Sequence, residues 1–107
     1  MLSYMKPIPA KDAVLRGEEL NILSGVSGSD EDMSFKVTVW GRIGAGWKPL
    51  SEKEIDLDGG EHKHLYFTLQ PEVFSASFWG EETDEIELLV SDKKPEDDER
   101  GVVVFID

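Results

Sequence analysis

Apolar and polar residues alternate with period two over several short stretches of the chain, the pattern of a strand with one buried and one exposed face. In Ser34 to Trp40 this places Phe35, Val37 and Val39 on an inward face and Lys36, Thr38 and Trp40 on an outward one. Their β-branched side chains suit a pleated backbone. In His62 to Leu69, Leu65, Phe67 and Leu69 share one face, and His62, His64, Tyr66 and Thr68 share the other. Ile55 and Leu57 lie just upstream, separated from this run by Asp58-Gly59-Gly60. A glycine pair supplies the positive φ of a tight turn, so the two runs are expected to form a hairpin. Ile86, Leu88 and Val90 alternate with Glu85, Glu87 and Leu89, and the chain closes on the apolar run Val102 to Ile106. These predict a last antiparallel pair, joined by the polar segment SDKKPEDDERG as a solvated loop.

Two segments admit more than one reading. Ala13 to Leu23 fits either a short amphipathic helix broken at Gly17 or a turn followed by a strand. The even register of Leu20, Ile22, Ser24 and Val26, with glycines at its end, favours the strand. In Val73 to Trp79, Phe74, Ala76 and Phe78 alternate as in a strand, whereas Pro71 followed by Glu72 could open a helical turn; a short strand is the expectation. The series of short strands with turn signals between them predicts an all-β fold, a two-sheet antiparallel sandwich of about seven strands, in one domain over residues 1–107.

Composition narrows the partners. Apolar residues at 39% are enough for a folded core despite 32% charged residues. The net charge of -12 would repel phosphate backbones and anionic lipid surfaces, and no apolar run approaches the length of a spanning helix. Nucleic acid and membrane insertion are therefore not expected. The charge is uneven: residues 81 to 99 hold ten acids against Lys93 and Lys94, a net of -8. Glu96, Asp97, Asp98 and Glu99 at the end of that stretch are the candidate acidic edge for a basic partner, with plain solubility as the alternative. The chain has no cysteine, which removes thiolate ligands and leaves the redox compartment open. The first residues, MLSYMKPIPAKD, lack the pattern of a secretory leader. Cytoplasm is the default expectation, with secretion the alternative if an upstream segment has been removed.

No constellation of residues points to catalysis. Serines occur without a GxSxG elbow, and GRIGAG has neither a following lysine nor a strand-to-helix setting for phosphate. With 23 acids, some carboxylate pair at glycosidase spacing is inevitable and carries no information. His62 and His64 stand on one face of a strand, but zinc would need further ligands that the sequence does not reveal. Asp30-Glu31-Asp32 and the acids at 96 to 99 lack the calcium-loop arrangement. No metal and no cofactor are expected. The aromatics offer more: Trp40 and Tyr66 fall outward by register, and Trp47 and Trp79 sit near loop ends, where each is either a ligand platform or a plug over the core.

The segments GEELNILSGV, SFKVTVWG, IDLDGGEHKHLYFTL, EIELLVSD and GVVVFID, in that order, resemble an immunoglobulin-like or fibronectin-type sandwich, and in particular bacterial cell-adhesion-related modules. The resemblance implies a non-catalytic spacer or binding domain. Under that order Trp40 and Tyr66 belong to opposite sheets and cannot share a ligand. The leading expectation is a non-enzymatic binding or spacer module acting through a protein partner. The alternatives are a carbohydrate-binding module using outward Trp and Tyr, and a small metal-dependent enzyme at His62 and His64.

Overall fold

A computed structural model describes residues 1–107. The strands are β1 (Ser3–Tyr4), β2 (Ile8–Pro9), β3 (Ala13–Val14), β4 (Leu20–Ser27), β5 (Met33–Arg42), β6 (Lys48–Leu57), β7 (Lys63–Leu69), β8 (Glu85–Ser91) and β9 (Val102–Ile106). They form two sheets. In the four-stranded sheet β7 lies along one edge of β4, and the short β1 and β2 take successive stretches of its other edge. The five-stranded sheet runs β3-β9-β8-β5-β6, antiparallel except for β3 beside β9. The N-terminal segment thus starts in one sheet and crosses to the other between Pro9 and Ala13.

Alternation sets what each sheet buries. Leu20, Ile22 and Val26 of β4 and Leu65, Phe67 and Leu69 of β7 meet Val37 and Val39 of β5 and Ile86, Leu88 and Val90 of β8 in one core cluster. The two-sheet sandwich, the strand over Leu20 to Ser27 and the antiparallel pairing of β8 with β9 follow the sequence pattern.

The hairpin expected around Asp58-Gly59-Gly60 does not form. β6 pairs with β5 and β7 pairs with β4, so the segment crosses from one sheet to the other. Ile55 and Leu57 share the core cluster with Leu65 and Phe67 but do not lie beside them in a ladder. Both glycines have other duties. Gly60 takes a positive φ of 77°, and a Cβ on Gly59 would sit 2.9 Å from the Asp30 carbonyl oxygen, so Gly59 admits the β4–β5 loop. Asp32 Oδ1 accepts from the Gly59 N–H at 2.9 Å, which uses the Asp30–Asp32 cluster as a loop clip.

The short strand expected over Val73 to Trp79 is instead a 3₁₀ turn, Pro71–Phe74, followed by one α turn, Ala76–Trp79. Pro71 occupies the first turn, where its missing N–H is no loss. Ser75 then caps the α turn by accepting from the Phe78 N–H at 3.3 Å. Val73 and Phe74 enter the core from these turns, so the Phe74-Ala76-Phe78 alternation reports no sheet.

The loop between β8 and β9 is less free than its polarity suggests. Pro95 is buried, and backbone carbonyls of the acidic run point back into the protein. Arg42 Nη1 donates to Asp97 O at 2.6 Å and Nη2 to Glu99 O at 2.6 Å, while Trp47 Nε1 donates to Glu96 O at 3.1 Å.

Candidate functional site

The outer face of the four-stranded sheet carries the most exposed large aromatic ring. Outward residues of β2, β4 and β7 stand in register: Ile8 is opposite Leu23, and Leu23 is opposite Tyr66. The result is an apolar row across three strands, with Tyr66 63% exposed and Ile8 51% exposed. On one side of the row Asn21 pairs with Thr68, whose Oγ1 donates to Asn21 Oδ1 at 2.8 Å. On the other side His64 stands opposite Gly25. Lys53 reaches over from β6 and donates to the Tyr66 carbonyl at 2.6 Å, which ties the free edge of β7 to the other sheet. A groove of about 570 Å³ runs along this row, and its lining includes Asn21, Leu23, Lys53, Tyr66 and Thr68 but no carboxylate. Such a surface can stack an apolar ligand face on the ring and meet hydroxyls with the amide, hydroxyl and ammonium groups around it.

The other sequence candidates lie elsewhere. Trp40 is half-buried on the outer face of the five-stranded sheet, with Nε1 donating to Ser91 O at 3.3 Å. It and Tyr66 therefore face away from each other. Trp47 is 3% exposed, and the Arg42 guanidinium lies 4.2 Å from its ring centroid; its geometry is that of a plug. Trp79 packs against the core with Nε1 on Val73 O at 2.7 Å, edge-on to Phe78 at 5.1 Å, and Lys48 Nζ sits over both rings. The carboxylates of Glu96, Asp97, Asp98 and Glu99 remain exposed, although the loop that carries them is pinned.

Arg42 and Glu87 are the charged centre that sequence reading missed. They are register partners on β5 and β8, and Arg42 Nε meets Glu87 Oε1 at 2.9 Å. Partial burial opposes ionisation of Glu87. The hydrogen bonds from Arg42 and the Gly101 N–H, with the charges of Arg42 and Arg100, outweigh it and hold the carboxyl below its ordinary range. Nε, Nη1 and Nη2 of Arg42 each reach an acceptor, an arrangement that clamps the loop to the sheet. No three His, Asp or Glu side chains converge as a metal cluster.

No family model matches the sequence, and no curated protein matches it. Solved structures do resemble the fold. A β-glucosidase from Erythrobacter marinus matches over 100% of this chain and 15% of its own, at 18% identity and a TM-score of 0.78. A β-glucosidase from Listeria innocua, in complex with isofagomine, matches over 99% of this chain and 16% of its own at 18% identity and TM-score 0.71. The GH3 β-glucosidase of Bifidobacterium adolescentis does so over 100% and 17%, at 18% identity and TM-score 0.73. At this identity the likeness is one of fold, and the chain spans about a sixth of the length of these proteins.

Proposed function

We propose that the chain is a non-catalytic, carbohydrate-associated module of immunoglobulin-like order, which holds an oligosaccharide against the Ile8-Leu23-Tyr66 row. The observation that carries this is the exposed Tyr66 ring at the end of an apolar row with hydrogen-bonding groups on both sides. A pyranose has an apolar C–H face and an equatorial rim of hydroxyls, and it matches that arrangement. The likeness to part of several β-glucosidase chains supports the carbohydrate setting and makes β-linked glucose oligosaccharides the first ligands to test. It lends no support to a protein partner. Hydrolysis of a glycosidic bond requires two carboxyl groups beside the substrate, and the groove lining contains none, which supports holding over cleaving. The strand order, with β1/β2, β4 and β7 against β9, β8, β5 and β6, supports the immunoglobulin-like assignment.

Calorimetric titration with cello- and laminari-oligosaccharides tests the reading. The wild-type chain is expected to bind one series, and Tyr66→Ala to weaken that binding at least about tenfold, the equivalent of about 1.4 kcal/mol. The melting temperature should not change, because the side chain is exposed. No glucose should be released during long incubation. Absence of binding to both series, or equal binding by Tyr66→Ala, overturns the reading.

A further inference from the structure

The same sheet face carries a second cluster, beyond Tyr66 toward the start of β7. His64 falls on the outward side of β7 because strand side chains alternate, and the exposed His62 lies just before that strand begins. His64 stands directly opposite Gly25 of β4. The space that a side chain on Gly25 would fill is taken by Met5, since a Cβ there would lie 2.8 Å from Met5 Sδ. Met5 is held on both sides of its backbone. Its N–H donates to Gly25 O at 2.9 Å, and its carbonyl accepts from the buried Ser24 hydroxyl at 2.8 Å. Met5, His62 and His64 thus line one cavity of about 240 Å³, together with Tyr4 and Lys63 and with no carboxylate.

We propose that Met5, His62 and His64 form a Cu(I) site on the outer face of this sheet. Two neutral imidazole nitrogens and one thioether sulfur make a three-donor set without oxygen anions. The thioether favours Cu(I) over zinc, and calcium or magnesium would require oxygen ligands. Gly25 is the positioning residue, because only a missing side chain lets the thioether lie across β4 beside His64.

Anaerobic competition of the full chain with bicinchoninate for Cu(I) tests this. Wild type is expected to take up one Cu(I) per chain. His64→Gln and Met5→Leu are each expected to weaken it at least about tenfold, the lower end of what disturbing a metal site costs. Gly25→Ala should match Met5→Leu, and the two together should be no weaker than Met5→Leu alone. A merely structural glycine would not show that dependence. Circular dichroism should be unchanged throughout, and Zn(II) binding should not depend on Met5. Tyr66→Ala should keep full Cu(I) affinity, which separates this site from the oligosaccharide row. Failure of wild type to compete, wild-type affinity in Met5→Leu or Gly25→Ala, loss of copper in Tyr66→Ala, or Zn(II) binding with the same Met5 dependence overturns the proposal.

Discussion

Replacing Arg42 with alanine is expected to cost about 3 kcal/mol of folding stability, the lower end of what breaking a buried ion pair costs, because Glu87 keeps some contact with water. Arg42 is 5% exposed, and its removal leaves the carbonyls of Asp97 and Glu99 without their donor and Glu87 with only the Gly101 N–H. Arg42→Lys should recover only part of the loss, since an ammonium cannot reproduce the guanidinium fork that meets three acceptors at once. The pH dependence has a fixed sign. Glu87 has a lowered pKa in the folded chain, so its contribution is present above the ordinary carboxylate range and fades as pH falls through the folded value. The gap between wild type and Arg42→Ala should therefore narrow in acid. Urea unfolding at neutral pH and at low pH checks both points. A neutral-pH loss below about 1 kcal/mol would mean that the clamp is no better than a surface ion pair.

Trp47→Ala is expected to destabilise the chain by about 3–5 kcal/mol, the usual cost of emptying a buried aromatic site. Trp47→Phe should lose less, about 1 kcal/mol for the hydrogen bond to Glu96 O plus some packing. Trp47 and Arg42 stack on each other and hold the same loop, so the double variant should lose less than the sum of the single ones, by about 0.5–3 kcal/mol. Strict additivity in urea unfolding would contradict the shared clamp. None of these changes should reduce oligosaccharide binding in variants that remain folded, because Trp47 lies away from the Tyr66 row.

Much of this architecture is legible in residue order, and the misses have identifiable causes. Period-two alternation reports which side chains face the core, so Val37, Leu65 and Ile86 and the outward Tyr66 could be placed from sequence. Alternation does not report which strand lies beside which. Asp58-Gly59-Gly60 therefore reads as a hairpin, although the same glycines serve a crossover between sheets. Phe74-Ala76-Phe78 has the spacing of a strand but follows a proline suited to a helical start, and the local cap at Ser75 prevails. The loop clamp is hidden for another reason: its acceptors are backbone carbonyls of an acidic run, so the side chains of Glu96 to Glu99 signal solvent while their backbone is anchored. GRIGAGWKP likewise shows Arg42 and Trp47 without showing that they stack. Met5 can be joined to His64 only through register, because β1 and β2 are too short to show a pattern of their own.

The most direct test of the carbohydrate-holding account is amide chemical-shift mapping of the isotope-labelled chain during titration with a β-linked glucose tetrasaccharide. The account predicts saturable shifts confined to Ile8, Asn21, Leu23, Tyr66, Thr68 and their neighbours along β2, β4 and β7, with the outer face of the five-stranded sheet silent. Shifts centred on Trp40 and Leu89, or none at any concentration for either linkage series, would contradict it.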